Sequence, residues 1–388
     1  MIFTIKNHCV CDDVCYEDPK NMKAICNREA LLAACQVASS AISSKDVKPI
    51  LKNFKAVADE DRCVLMATDL ELGVRIEIAG MVVEKPGEAI LPASKLISIL
   101  RETRDTEIHL EADADSSHIA GKSFEFDMPS EDPANFPDIP IFSDEKYHEM
   151  TAGTMRAMIR RTVFASASEM ARYTMTGALW ELEKDSVRLV ATDGRRLAWT
   201  QGSASEHGGH SVKGQSPVVP SKALNLLDRN FSDDQESIKV CFRPNEVLFK
   251  TERSIVYSRL VEGRFPDYKM VLPKKCLAHA ILKVEAFGSA VRQAAIMADD
   301  EVKKVLFKFN SKKLVMQAQG SISGKSKVEL PIEYHGPDVE IAFNPVFVSD
   351  LLKVLPNDAE VRLDLIDAAS PALFKFGDDY QYLIMPLT

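Results

Sequence analysis

Apolar residues recur along this chain with two different spacings, and the alternation between them predicts its elements. From Thr151 to Ser168, Met155, Met158, Ile159, Thr162 and Val163 fall at i, i+3, i+4, i+7 and i+8, the stripe of an amphipathic helix, with Arg156, Arg160 and Arg161 off the stripe. Asn27 to Ile42 repeats the arrangement, with Asn27 as N-cap and Leu31, Leu32 and Cys35 facing inward, and Glu285 to Ala298 repeats it again. Each of these helices is answered further on by another. Ser94 and Ser221, directly after a proline and beyond it, are natural N-caps, and Val348, Leu351, Leu352 and Leu355 carry the apolar spacing of the third. Short alternating runs read as strands: Val187–Ala191, Ser237–Phe242, Val247–Lys250, Val305–Phe309 and Ala372–Phe376. Two helices and about eight short strands in each stretch of about 120 residues predict an α+β fold, antiparallel sheets covered by helices on one face.

The pattern repeats at the scale of a domain. LMATDLEL at Leu65–Leu72 and LVATDGRRL at Leu189–Leu197 place Thr68 and Thr192 124 positions apart. EAILPASKL, SPVVPSKAL and EIAFNPVFV place Pro92, Pro220 and Pro345 at intervals of 128 and 125 residues. Solenoid repeats run to roughly 20–50 residues, so the reading is one domain built three times: residues 22–143, 144–266 and 267–388. The proline- and acid-rich stretch Asp127–Lys146 links the first two copies, and Gly263–Lys275 links the last two. Ser203–Ser216, with Gly208 and Gly209, reads as a mobile loop. Residues 1–21 match nothing in the repeat and are expected to be an N-terminal extension, with Met22 the natural start.

Composition narrows the class. Of 388 residues 46% are hydrophobic and 27% charged, ordinary for a soluble globular chain. No apolar run approaches a membrane span of about 18 residues and no signal sequence opens the chain, so a cytoplasmic location is expected. The eight cysteines include Cys9, Cys11 and Cys15 but no repeated CxxC, so reduced thiols and no metal or cofactor are expected. Gly121-Lys122-Ser123 and Gly324-Lys325-Ser326 lack the earlier glycine of a phosphate loop, having Ser116 and Gln319 there. Asp69 and Asp193 are the one pair imaginable as catalytic carboxylates. Their place after a strand favours a turn-capping role instead, and no enzyme is expected.

Residues present in one copy and absent from the others carry the functional reading. ATDGRRLA at Ala191–Ala198, GRFPDY at Gly263–Tyr268, VLPK at Val271–Lys274, Arg172-Tyr173 and YLIMPL at Tyr382–Leu387 together resemble the bacterial DNA sliding clamp, the beta subunit of DNA polymerase III, in order and over Met22 to Thr388. The resemblance implies three clamp-type domains per chain and a head-to-tail homodimer closing a ring around duplex DNA, with two helices per domain lining it and sheets outside. It also implies a processivity factor that tethers the DNA polymerase III alpha subunit, the clamp loader and other clamp-binding polymerases and repair proteins. A repair-dedicated accessory clamp is the nearest rival.

Carried over position by position, the implied peptide-binding pocket comprises Arg172, Met175, Thr192, Gly194, Arg195, Arg196, Leu197, Pro266, Met270, Val271, Pro371, Leu383, Ile384, Met385, Pro386 and Leu387. Methionines and aliphatics would form an adaptable groove, and arginines would anchor the peptide's polar ends. Met270 stands where many relatives have arginine and Pro371 where some have serine, and the end at Thr388 lacks a basic residue often found there. Lys45 and Tyr173 match DNA-contacting positions. Ring closure would use Ile296 and Met297 against Phe124 or Phe126. Charge adds an independent argument, because the six proposed helices sum to +6 while the chain carries −9. Basic helices inside an acidic shell would hold DNA by its phosphates without reading bases, which adds Arg156, Arg160 and Arg161 as DNA contacts.

Overall fold

The computed structural model describes residues 22–42, 48–113, 115–168, 173–212, 214–231, 233–299, 303–320 and 324–387. The chain divides into two compact units, Met1–Asp69 with Arg75–Asp138, and Leu70–Val74 with Ile139–Thr388.

In the first unit, α1 (Arg28–Ser39) packs on α2 (Ala93–Glu102). Asn27 caps α1 as expected, its side chain accepting from the backbone N–H of Glu29 and Ala30 at 2.9 and 3.3 Å. Leu31, Ala34, Cys35 and Ala38 are buried, whereas Leu32, one step around the helix from Leu31, is only half-buried at the edge of the stripe. One sheet runs in the order Val82–Lys85, Met22–Asn27, Glu107–Ala112, Ser116–Ala120, Glu125–Pro129. In the other, Asn53–Ala58 lies between Gly87–Pro92 and Cys63–Thr68. The last strand of the first sheet reaches Pro129, so the linker begins later than its composition suggested.

The second unit holds α3 (Ala152–Thr162) against α4 (Ser221–Asn230) and α5 (Val284–Ala295) against α6 (Pro345–Lys353). The serine caps do not form: α2 and α4 start one residue earlier than a serine cap at Ser94 or directly at Ser221, and Pro92 and Pro220 occupy the cap positions in extended conformation. The Ser221 hydroxyl instead donates to the Thr176 carbonyl at 2.9 Å. In α6, Asn344 is a true cap, accepting from Val346 N–H at 2.9 Å, with Pro345 in the first turn, where a missing N–H costs nothing.

A single nine-stranded antiparallel sheet crosses from the second domain into the third. Its order is Val218–Pro220, Gly177–Leu182, Ser186–Thr192, Arg196–Ser203, Tyr380–Ile384, Ala372–Phe376, Glu360–Leu365, Ala278–Lys283 and Glu333–His335. The two domains meet where Arg196–Ser203 pairs with Tyr380–Ile384, in the register Arg196 with Ile384 through Thr200 with Tyr380. Arg161 of α3 reinforces the seam, bonded to Asp379 at 2.9 Å and stacked over Phe376 and Tyr380. Behind the sheet, Trp180 packs against Phe242 and Phe249 with ring centres 5.6 and 5.7 Å away. Burial pushes the Cys26 and Cys63 thiols up to about 12, away from reactive thiolate at neutral pH.

Part of the stretch Ser203–Ser216, expected to be a mobile loop, is held in place. Ser205–His207 pairs with Tyr147–Thr151, and His210 is buried on a chain of hydrogen bonds. The Phe242 N–H donates to His210 Nε2 at 3.0 Å, so the neutral ring carries its proton on Nδ1, 2.8 Å from Nδ1 of His148. His148 is then protonated at Nε2 and donates to the Glu183 carbonyl at 3.0 Å. A further proton on His210 Nε2 would oppose the Phe242 N–H donor. Burial, and then the proximity of His148, hold His210 below its ordinary 6.5, against the opposing pull of Asp144 and Glu206. A depressed pKa means the unfolded chain binds the proton first, so this stabilisation is complete above about pH 6.5 and drains away below it. We expect the melting temperature to fall between pH 7.5 and 5.5 by an extra 2–4 °C or so, about 1 kcal/mol for one buried hydrogen bond in a body of this size. His210→Gln should melt lower at pH 7.5 but show a flatter pH dependence; equal slopes for the two proteins would refute the assignment.

Candidate functional site

The seam gathers most of the sequence-predicted pocket. Strand Ser186–Thr192 turns through Asp193, Gly194 and Arg195 into Arg196–Ser203. The Asp193 carboxylate accepts the N–H groups of Arg195 and Arg196 at 2.9 and 3.0 Å, and the Thr192 hydroxyl donates to the Arg196 carbonyl at 2.6 Å. Gly194 sits at φ 87°, the left-handed region that glycine enters without penalty. In the first copy Leu70 holds the equivalent place at φ 78°, so this turn takes the same conformation in both copies and the second supplies a glycine for it. Asp193 is thus consumed by the turn, which removes it as a catalytic carboxylate. The N–H of Met385 donates to the Arg195 carbonyl at 2.8 Å, tying the end of the chain to the turn, and that of Leu387 donates to Ala342 at 2.8 Å.

Beneath the turn lies one apolar cluster: Leu179, Val190, Leu197, Val218, Phe265, Tyr268, Leu373 and Leu383, with Trp199, Val261 and Leu272 packed on it. Leu197 and Leu383 therefore form floor, and Thr192, Ile384 and Met175 are also buried. Pro371, Pro386 and Leu387 are half-buried, and Gly194, Arg195 and Pro266 are exposed. Large apolar side chains remain open to solvent in the same segments: Met270 at 82%, Val271 at 46% and Met385 at 38%. Isolated exposed apolar residues need no explanation, but several beside one firm apolar floor mark a binding surface.

The 3-10 turn bearing Met270 is pinned through Tyr268, whose hydroxyl donates to Glu181 at 2.9 Å. Burial alone would raise the Glu181 carboxyl, but Lys269, Arg188 and Tyr268 outweigh it and hold the group below its ordinary 4.5.

Arg196, expected to anchor a peptide, is engaged within the chain. Its side chain is 11% exposed. Nε pairs with Asp193 at 3.0 Å, Nη1 with Asp350 of α6 at 2.8 Å, and Nη2 donates to the Phe164 carbonyl at 2.7 Å. Its guanidinium lies 4.5 Å from the Phe347 ring centre and 5.5 Å from that of Phe164. Asp350, Phe164, Phe347 and Tyr268 escaped sequence reasoning. Only Tyr268, inside GRFPDY, carried a signal; Asp350 looks like any polar residue off a helical stripe.

Two of the three arginines expected to contact DNA are likewise engaged within the chain. Arg156 bonds Asp234 and the Phe231 carbonyl, and Arg161 bonds Asp379; both are largely buried. Arg160 is 59% exposed and pairs with Asp228 at 3.0 Å. The net helix charge counted these side chains as available because their acidic partners lie outside the helix or on the neighbouring one. Lys45 and Arg172 lie outside the described residues, as do the side chain of Tyr173 and the cysteines at 9, 11 and 15. Ile296 is 70% exposed just beyond α5. Phe126 is exposed on Glu125–Pro129, its ring 5.5 Å from that of Phe124. Met297 and Phe124 are half-buried. Among the described residues no cluster of three or more His, Cys, Asp or Glu could hold a metal, and no helix is long and apolar enough to cross a membrane.

Three copies of a two-helix domain walled by antiparallel sheet define the DNA-clamp class of fold. Models of the N-terminal, central and C-terminal domains of the DNA polymerase III beta subunit match residues 22–140, 149–267 and 269–388. The Beta sliding clamp of Proteus mirabilis is 30% identical over 370 residues, 94% of this chain and 100% of that protein. That of Escherichia coli strain K12 is 28% identical over 369 residues, with the same shares covered. A crystal structure of the Pseudomonas aeruginosa sliding clamp bound to griselimycin superposes with a TM-score of 0.88 at 26% identity, covering 95% of this chain and 100% of that one. The chain belongs to the DNA polymerase III beta subunit family, the sliding clamps, which are the non-catalytic processivity subunits of the replicative polymerase.

Proposed function

We propose that two copies of this chain close head to tail into a ring around duplex DNA, and that the seam between residues 144–266 and 267–388 docks short apolar peptides of its partners. Those partners are the DNA polymerase III alpha subunit, the clamp loader, and other polymerases and repair proteins carrying such a motif. The observation that carries the docking reading is the group of exposed side chains Met270, Val271 and Met385 beside the buried floor of Leu197, Leu383 and Tyr268. The remaining pocket residues, Arg172 included, would line or rim the same groove. Duplex DNA would be held through phosphates by Lys45, Tyr173 and Arg160, with Arg156 and Arg161 shaping the lining through their ion pairs. Such contacts are weak singly and salt-sensitive, so residence would depend on topology. Closure would bring Ile296 and Met297 of one copy against Phe124 and Phe126 of the other.

The test is retention on DNA. The protein, loaded onto nicked circular DNA by its clamp loader, should co-elute with the circle through gel filtration and be released once the circle is cut. Its mass in solution should be that of two chains. A monomer at micromolar concentration that also leaves circular and linear DNA at the same rate would sink the ring.

A further inference from the structure

We propose that Arg196 is a positioning residue: with Asp350 it fastens the docking turn to α6 of the third domain, and the pair governs partner affinity by holding that turn in place. This rests on the docking reading above. All three nitrogen groups of the guanidinium are committed inside the chain, to Asp193, Asp350 and the Phe164 carbonyl, with Phe347 and Phe164 against its faces. Three of its five N–H groups are thus already bonded at 2.7–3.0 Å, and with the side chain 11% exposed little of this cation is open to a partner.

The contacts also come from separate parts of the fold. Phe164 follows α3 in the second domain, Asp350 and Phe347 belong to α6 in the third, and Asp193 is the turn itself. Burial works against the charge of Arg196, while Tyr382, Asp350 and Asp193 more than offset it. The Tyr382 hydroxyl donates to the Phe347 carbonyl at 3.1 Å, so the seam strand is held to the same helix. Because Met385 hangs by its N–H from the Arg195 carbonyl, the turn's position fixes where the exposed methionine stands. The two oxygens of Asp350 divide between Arg196 at 2.8 Å and Lys353 at 3.0 Å. Lys353 is 71% exposed, and its pair adds little. A docking surface held in its bound shape spares the partner the cost of ordering it; a turn released from α6 does not.

The experiment measures binding of the full-length clamp to the purified polymerase alpha subunit by surface plasmon resonance, together with amide exchange at Arg195, Arg196 and Met385. Asp350→Asn keeps the shape and removes the charge. It should weaken binding about tenfold, chiefly through faster dissociation, and speed exchange at those three amides at temperatures far below melting. Lys353→Ala, which removes the other partner of the same carboxylate, should change affinity less than twofold. Asp350→Glu should lose about threefold; it replaces Asp350→Asn if that variant fails to fold, and wild-type affinity and exchange in whichever of the two is used overturn the inference. A wild-type clamp that binds no polymerase, or a Met385→Asp clamp that binds as well as wild type, would instead dismiss the docking site itself.

Discussion

Replacing Met385 by aspartate should lower affinity for the polymerase alpha subunit by roughly 30- to 1000-fold and leave the melting temperature within a few degrees of wild type. The range follows from the 2–4 kcal/mol that a central apolar contact carries at an interface, at 1.4 kcal/mol per factor of ten. Stability should hold because the side chain is 38% exposed, while the fold uses only the backbone N–H of this residue. Deleting Met385 to Thr388 should abolish binding as well, but with a stability cost. That deletion also removes the N–H groups bonded to the Arg195 and Ala342 carbonyls, about 1 kcal/mol each. The point variant is therefore the cleaner probe. Surface plasmon resonance decides it, and unchanged binding by Met385→Asp would move the docking site elsewhere.

What the chain discloses before folding depends on how local the determining physics is. The helical stripe at Met155, Met158 and Ile159 and the Asn27 cap are set by neighbours within a turn or two, and both appear where the spacing puts them. Repetition made the three-domain plan legible, because a pattern met again after 124 to 128 residues must serve the same packing. Gly194 could be singled out as a break in that repetition, yet its cause, the positive φ shared with Leu70, needs the backbone to be seen.

Roles that depend on partners far along the chain were not legible. Arg196 and Asp350 are 154 residues apart, Arg161 and Asp379 218, and His148 and His210 62. An arginine on a polar helix face reads as a free cation in sequence. Folding decided otherwise for Arg156 and Arg161 by bringing carboxylates to them. The same limit misplaced the caps of α2 and α4, where the strand leading into each helix delivers a proline to the cap position.

A charge at Ile296 should open the proposed ring. In a head-to-tail dimer with two identical interfaces, one substitution in the chain acts twice. Ile296 is 70% exposed just past the end of α5, so Ile296→Glu removes almost no burial from the chain itself and should leave its folding intact. Across the proposed interface the same change strands a carboxylate against the apolar surface of Phe126 and Phe124, whose rings sit 5.5 Å apart. At about 2 kcal/mol per interface, two interfaces lose about 4 kcal/mol, or roughly a thousandfold in the dimer dissociation constant. Sedimentation equilibrium should find Ile296→Glu monomeric at concentrations where wild type is dimeric, and Phe126→Asp should behave alike. The monomer should still bind the polymerase alpha subunit, since the seam lies wholly within one chain, but should fail to remain on circular DNA. That separation is the discriminating result: a docking-competent protein with no topological hold on DNA. A dimer constant unchanged by both substitutions would place the closing surface outside Ile296 and Phe126.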